Sequence, residues 1–460
     1  MRLPFLDRAS ELERLRRALD AKESSLLVAY GRRRVGKSRL LQEAIRGRRA
    51  VYYVGDERDA ALQRVDLARE IAELVPGFAD VNYPSWEPLL ERWWRDAPGG
   101  GVLVLDEFPF LVRASPELPS LLQKSVDRPG RAVRHTILSG SSQRMMQGLV
   151  LAATAPLYGR AREILQLEPL GAGWIRTAFG IRDAATAVDQ YAAWGGIPRY
   201  WELAREHTSR RAAVEALVLD PLGVLHREPD RLLLDDLDQT SRAASLLSLI
   251  GQGCHRVSEI GGRIGVPATS LARPLTRLIE LGFVARDVPF GRSPRDTKRT
   301  YYRIADPFLR LWYRFVEPAR SRLAARQITA VARSVEAEWP RFLGSVWEEM
   351  ARASVPRLAV AGRSWSVASR WWGPDGHGQP LEVDILAEAA DGSGDLLVGE
   401  AKLRATASEI RSALDELRRK TARLPVAQGR EVTHAIWVHH GPDPRDPRVV
   451  HSGAVLDALR

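Results

Sequence analysis

Gly31-Arg32-Arg33-Arg34-Val35-Gly36-Lys37-Ser38 is the stretch whose residue types and spacing point most directly to chemistry. It fits the pattern G-x-x-x-x-G-K-[ST], with an apolar run, Leu26 to Tyr30, before it and a helical segment, Arg39 to Arg46, after it. In that setting the glycines let backbone N–H groups turn inward around phosphate oxygens, and the helix N-terminus adds partial positive charge. Lys37 can reach the β- and γ-phosphates, and the Ser38 hydroxyl can ligate Mg²⁺. Gly31 through Arg39 are therefore the expected nucleotide-binding residues, with Mg²⁺ as the accompanying ion. A glycine-rich turn in an unrelated fold would lack these two flanks.

A second element fits the first. Val102-Leu-Val-Leu-Asp106-Glu107 reads as a buried parallel strand that delivers two carboxylates to the edge of a sheet. Asp106 is expected to hold Mg²⁺ through water, and Glu107 to polarise an attacking water. A third strand, His135 to Leu138, ends in Ser139-Gly140-Ser141-Ser142. Ser139 or Ser141 could sense the γ-phosphate there, or the run could be a tight turn and helix cap. Arg160 and Arg199 are candidates for stabilising transition-state charge, in cis or from a neighbouring copy, with solvated surface arginines as the plainer reading.

The C-terminal third holds a separate group. Leu381-Glu-Val-Asp384-Ile-Leu and Leu396-Leu-Val-Gly-Glu400-Ala-Lys402 are two strand patterns joined by a polar turn. Glu400 and Lys402 share a face because strand side chains alternate, and pairing brings Asp384 close. Two carboxylates can hold a divalent metal while a lysine positions a water for phosphodiester attack. Adjacent His439 and His440 point to opposite faces of their strand and are read as structural.

These groups need elements to position them. Strands at Ala50–Val54 and Glu163–Leu167 complete five alternating β/α units, hence a doubly wound sheet. Before it, residues 5–20 read as a helix with Ser10 and Glu13 as a capping box and Leu12, Leu15 and Leu19 on one face. Residues 171–235 are helical. Residues 241–303 show three helical patterns, the third from Pro267 to Leu281, and then a hairpin whose loop carries Arg292, Arg295, Lys298 and Arg299. That is the layout of a winged helix, which contacts DNA or serves as a protein-contact module. Expected boundaries are 1–170 for the ATPase core, 171–235 for a helical segment, 236–308 for the winged helix, 309–342 for a helical connector and 343–460 for a last α/β domain.

Phe5-Leu-Asp-Arg8 with Glu11-Leu12, GRRRVGKS, VLVLDEF, LSGSS, PLYGR and GGIPRY together resemble the archaeal-type, or prokaryotic, ATPase family of the AAA+/STAND group. The resemblance covers about the first half of the chain and implies ATP as the nucleotide and a helical lid at 171–235. The sensor position carries Ser where Thr or Asn is more usual. The D…E-x-K residues resemble the PD-(D/E)-x-K nuclease superfamily, as in the DUF234 domain that often ends this ATPase family. Trp371-Trp372-Gly373 fits that domain, and by the same resemblance Glu348 matches the superfamily's upstream acid. The fold class expected is multidomain α/β: an AAA+-like P-loop NTPase parallel sheet with helical lid, a winged helix-turn-helix, and a C-terminal restriction-endonuclease-like α/β domain.

Composition sets the bounds. The 460 residues carry 68 basic and 57 acidic side chains, a net charge of +11, which favours an anionic partner such as DNA. Cys254 is the single cysteine, so an internal disulfide or a cysteine zinc site is excluded and a reducing, cytoplasmic setting fits. Charge comes too early at the N-terminus for a signal peptide, and no apolar run suits a membrane span, so a soluble protein is expected. The function expected is an ATP-binding, ATP-hydrolysing switch coupled to DNA binding and to Mg²⁺-dependent cleavage by the last domain. The competing expectations are an ATP-controlled DNA-binding regulator with an inactive nuclease-like domain, and a signalling scaffold that binds a protein partner through the winged helix. A homo-oligomer is compatible with each.

Overall fold

The apolar runs at the start of the chain become the interior of a parallel sheet. In a computed structural model, which describes residues 3–127, 132–150, 152–236, 240–293, 299–442 and 446–460, the chain divides into two compact units. One comprises Asp7–Pro169 with Leu234–Asp238, the other Met1–Leu6, Leu170–Leu233 and Gln239–Arg460.

In the first unit, β1 (Ser25–Tyr30), β2 (Ala50–Val54), β3 (Gly101–Asp106), β4 (Arg134–Gly140) and β5 (Ala161–Gln166) pair in parallel in the order β2-β3-β4-β1-β5. The sheet is parallel throughout, with helices between its strands, the α/β class expected. β1, β3 and β4 are buried along their whole length, as strands inside a parallel sheet covered on both faces must be. Leu26, Val28, Leu103, Leu105 and Leu138 join Phe78, Trp86 and Trp93 in one core. Because β4 lies between β3 and β1, the residues following all three strands gather at one edge of the sheet.

The first helix departs from its expected start. It runs Ala9–Leu19 with Arg8 at the N-cap, and no side chain caps it. Ser10 bonds its neighbour Glu11 (3.0 Å) instead of forming a capping box with Glu13. The reason is tertiary: Asp7 and Arg8 both adopt left-handed backbone (φ 57° and 69°), and the buried Arg8 guanidinium donates to the carbonyls of Val35 and Glu168 and to Glu11. Anchoring the phosphate loop outweighs the local cap.

In the second unit, helices Trp174–Phe179, Ala184–Trp194, Pro198–Ala204 and Arg210–Val214 precede the helices Thr240–Gly251, Val257–Ile264 and Ala272–Glu280. β6 (Val284–Asp287) and β7 (Tyr301–Ile304) form an antiparallel hairpin. Arg295 and Lys298 of its loop lie outside the described residues. After the 27-residue helix Ile328–Ser354 comes a short hairpin of β8 (Ala359–Val360) and β9 (Arg363–Ser364). The last sheet has the order β10-β11-β12-β13-β14, formed by Ser369–Pro374, Pro380–Glu388, Leu396–Arg404, Val432–His440 and Val449–His451. β10 to β12 pair antiparallel, and β12 to β14 parallel. Helix Ala407–Ala422 packs Ile410, Ala413, Leu414 and Leu417 against Val383, Val398 and Ile436 of that sheet.

The helical segment and the C-terminal part of this unit are stitched together. Arg210 pairs bidentately with Glu336 (2.9 and 2.8 Å), reaches Asp189 (2.9 Å) and lies 3.7 Å over the Trp339 ring. Gly173 donates to Leu459 O at 3.1 Å, and a Cβ at Gly173 would sit 2.0 Å from Leu456 O. Among the described residues no helix is long and apolar enough to cross a membrane.

Candidate functional site

Between β1 and helix Lys37–Ile45 the chain makes the loop its sequence requires. A Cβ at Gly31 would lie 2.5 Å from Leu167 O, so the loop passes too close to the backbone after β5 for any side chain. Gly36 takes a left-handed conformation (φ 103°) at the helix N-cap. Lys37 is 5 % exposed and folds back over the loop, donating to Gly31 O (2.9 Å), Arg32 O (3.3 Å) and Ser141 Oγ (2.9 Å). Of the loop arginines, Arg32 is buried, Arg33 exposed and Arg34 half-buried; Val35 is buried and Arg39 half-buried.

Asp106 closes β3 and is 2 % exposed. Its Oδ1 accepts the Glu107 N–H (3.0 Å), and its Oδ2 accepts the Ser38 hydroxyl (2.7 Å) and the Tyr52 hydroxyl (2.5 Å). Glu107 is left-handed (φ 50°) and caps helix Phe108–Ala114. Its two carboxylate oxygens accept the Ser141 Oγ–H (2.7 Å) and N–H (3.1 Å). Ser141 thus links the lysine to the glutamate. Ser139, opposite Ala29 in the ladder, is fully buried and its Oγ has no hydrogen-bond partner. Of the two serines, the structure brings Ser141 to the loop.

Arg160 is held by Asp127 (3.0 Å) and the Tyr158 carbonyl (3.2 Å). Arg199 pairs with Glu202 (3.0 Å) and belongs to the other unit. Tyr52 is the residue that sequence reasoning passed over. Burial first, and then the Asp106 charge, push its phenol well above the ordinary value, so it stays protonated as a donor. The signal was positional: a tyrosine at the centre of the strand beside β3, visible only once the strand order is known.

Ser38 Oγ and Asp106 Oδ2 meet at one point, an all-oxygen pair of the kind a hard divalent cation takes. With Lys37 and the inward-turned loop, these residues fit a nucleoside triphosphate with Mg²⁺.

The C-terminal sheet holds the second cluster. In β10 and β11 the pairs Ser369↔Leu386 and Trp371↔Val383 leave Asp384 and Ile385 opposite the single residue Arg370, a β-bulge. Bulges re-aim side chains beside functional sites. Here Asp384 accepts the Ala401 N–H at 3.0 Å. Glu400 Oε1 accepts from Lys402 (2.8 Å) and Lys420 (3.3 Å), while its Oε2 is buried with no partner. Burial works against the Glu400 charge, but the two lysines prevail and hold its pKa below the ordinary value. Lys402 moves up in turn: burial opposes its charge and Glu400 overcomes it. Burial and then the Asp384 charge push Glu348, on helix Ile328–Ser354, up to about 7. Burial, then Glu400, raise Asp384 against the pull of the Ala401 N–H.

Asp384, Glu400 and Lys402 thus share one neighbourhood, and Glu348 feels Asp384 electrostatically. Among the described residues, however, no three His, Cys, Asp or Glu side chains converge to hold a metal. Glu400 is turned to its lysines and Asp384 to a backbone amide. His439 is buried with Nε2 at 3.1 Å from Ala185 O, and His440 is exposed.

Residues 5–200 match a family described as an ATPase domain predominantly from Archaea, and residues 312–413 match DUF234, archaeal and bacterial proteins of unknown function. An uncharacterized protein of Methanocaldococcus jannaschii is 28 % identical over 387 residues, 83 % of this chain and 84 % of that protein. Among solved structures, a Walker-type ATPase of Pyrococcus abyssi superposes with a TM-score of 0.52 at 18 % identity, covering 67 % of this chain and 95 % of its own. The Aeropyrum pernix ORC2 protein gives a TM-score of 0.41 at 16 % identity, over 73 % of this chain and 97 % of its own. The chain carries an ATPase domain of the family found predominantly in Archaea, followed by a DUF234 domain.

Proposed function

We propose that the chain is an ATP-binding and ATP-hydrolysing AAA+-like switch whose second unit acts on DNA. The observation that carries the nucleotide half is the convergence of Lys37, Ser38, Asp106, Glu107 and Ser141 at the ends of three neighbouring strands. Lys37 exchanges its loop carbonyls for phosphate oxygens, and the Ser141 hydroxyl it leaves is free to follow the γ-phosphate. Glu107, released from Ser141, orients the attacking water. Ser38 and Asp106 would hold Mg²⁺, which when bound neutralises charge between the phosphates. Arg160 and Arg199 are the proposed candidates for stabilising transition-state charge, in cis or from a neighbouring copy; each is held by an ion pair here.

The test is ATP hydrolysis by wild type and Glu107→Gln, with and without DNA. Turnover that DNA stimulates and that Glu107→Gln lowers by about 10²-fold or more supports the reading. Turnover indifferent to Glu107→Gln refutes the assignment of the water-orienting residue.

The DNA half rests on the net charge of +11 and on the proposed division of the second unit. Residues 171–235 are read as a lid, 236–308 as a winged helix, 309–342 as a connector and 343–460 as a nuclease-like domain. Helices Val257–Ile264 and Ala272–Glu280 with the β6–β7 hairpin support the winged-helix reading, and Ser270, Arg273 and Arg292 are exposed on it. Two functions remain for the last domain. Glu400 bound by two lysines and Asp384 turned to a backbone amide favour a domain that binds DNA without cutting it. Mg²⁺- or Mn²⁺-dependent nicking of plasmid DNA, lost in Asp384→Ala, would establish cleavage instead.

A further inference from the structure

Asp106 shares its Oδ2 between two hydroxyls of different origin. Ser38 belongs to the phosphate loop and is committed to the cation by its position in the motif. Tyr52 comes from β2, the strand at the edge of the sheet, and nothing in the loop pattern calls for it.

The ladder explains how it arrives. Tyr52 pairs with Val104 and Val54 with Asp106. Val104 and Asp106, two residues apart, share a face of β3, so Tyr52 stands on the same face as Asp106 one step back along the sheet. Tyr53 takes the opposite face and is buried in the core with Leu105. From that position a long side chain with a terminal donor is needed to span the gap to the carboxylate, and Tyr52 makes the bond at 2.5 Å.

The arrangement fixes Asp106 from three directions: the Glu107 amide on Oδ1, and Ser38 and Tyr52 on Oδ2. When Ser38 turns its oxygen toward a cation, the contacts left to orient the carboxylate are the Glu107 amide and the Tyr52 hydroxyl. We propose that Tyr52 is a positioning residue for the magnesium shell: it holds the Asp106 carboxylate at one angle and so sets the affinity of the site for Mg²⁺ rather than for the nucleotide. This rests on the reading of the loop as an Mg²⁺–nucleotide site. Partners of this outer-shell kind change metal affinity by about 10- to 100-fold when removed.

The experiment measures binding of a fluorescent ATP analogue to the full chain, first in EDTA and then along a Mg²⁺ titration, for wild type, Tyr52→Phe, Asp106→Ala and the double variant. Tyr52→Phe keeps the ring, and its affinity in EDTA reports whether the loop is intact. The expected result is unchanged affinity in EDTA and a Mg²⁺ half-saturation raised about 10-fold or more. Asp106→Ala should show a defect at least as large, and adding Tyr52→Phe to it should change nothing further. A wild-type Mg²⁺ midpoint in Tyr52→Phe overturns the proposal. So does an equal loss of affinity with and without Mg²⁺, which would mark Tyr52 as structural. Wild type that binds the analogue without any Mg²⁺ effect, or does not bind it, overturns the site reading and the proposal together, an outcome distinct from a failure confined to the variant.

Discussion

Glu348 allows the C-terminal cluster to be tested without knowing its ligand. Burial, and then the neighbouring Asp384 charge, raise its carboxyl from the ordinary 4.5 up to about 7, against the pull of Arg352 and Arg370. Between these two values the unfolded chain has released the proton and the folded chain still holds it. Stability linked to Glu348 is therefore intact below about pH 4.5 and declines as pH rises toward 7, the reverse of a salt-bridged carboxylate. The interval from 4.5 to about 7, at about 1.36 kcal/mol per unit of pH, is worth about 3 kcal/mol. Glu348→Gln keeps the shape and removes the charge. It should be close to neutral near pH 4 and stabilising by about 1–3 kcal/mol near pH 8, the lower figure applying where the new amide costs part of the gain. Urea denaturation of the intact chain at the two pH values, followed by tryptophan fluorescence, reads the difference. A stabilisation that does not grow with pH, or a loss at both, would refute the reasoning. Asp384→Asn should shrink the same pH dependence, because it removes the charge that helps keep Glu348 protonated.

Two other changes follow from the first unit. Gly31→Ala places a Cβ 2.5 Å from Leu167 O, so the loop must move off β5; a loss of about 1–3 kcal/mol in stability is expected, together with loss of binding in the fluorescent ATP assay. Burial, then the charges of Arg48 and Arg162, hold His135 below its ordinary pKa near the start of β4, where it bonds Ser25 at 2.7 Å. The unfolded chain then takes up a proton that the folded one refuses, so stability should be intact above about pH 6.5 and fall below it, and His135→Asn should flatten that fall in a urea series.

How far the sequence carried depended on the range of the interaction. β2 runs Ala50–Val54 as its apolar pattern predicts, and β3 ends at Asp106 because a buried parallel strand must end where carboxylates can meet solvent or cation. The spacing of the phosphate loop is a local demand on φ and on close approach, and both glycines meet it. The contacts that complete the site are not local. Tyr52 reaches Asp106 only because β2 neighbours β3. Ser141 differs from Ser139 only in leaving the ladder while its neighbour stays inside it. Ser10 made a sound capping pattern, yet Arg8 took the N-cap for a bond to the Val35 carbonyl. In the last sheet the E-x-K spacing placed Glu400 beside Lys402, but alternation alone could not reveal the bulge that re-aims Asp384, nor Lys420 arriving from helix Ala407–Ala422.

The hairpin after the three central helices shows what such non-local contacts imply for the proposed action on DNA. A wing reads as a free basic loop, but Phe290 beside it packs with Val426 and Val432 against the core of the last sheet, and its N–H donates to Arg370 O at 2.9 Å. Tyr301 meets Trp372 edge-on at 5.0 Å. Arg303 of β7 and Arg310 both pair with Glu349 (2.8 Å each), beside Glu348 on the long helix. Burial disfavours the Glu349 charge, and the two arginines hold its pKa below the ordinary value all the same. A half-buried carboxylate held by two guanidiniums is destabilised by loss of either partner, because its charge is then left less well compensated. Hairpin, long helix and last sheet are therefore joined by direct contacts. Arg210 and Gly173 tie the proposed lid to the same helix and to the C-terminal residues. A displacement of residues 171–235, as proposed for a lid, would therefore have to break these contacts or act through them on the hairpin and on the neighbourhood of Glu348 and Asp384, which is the route the proposed nucleotide control would take.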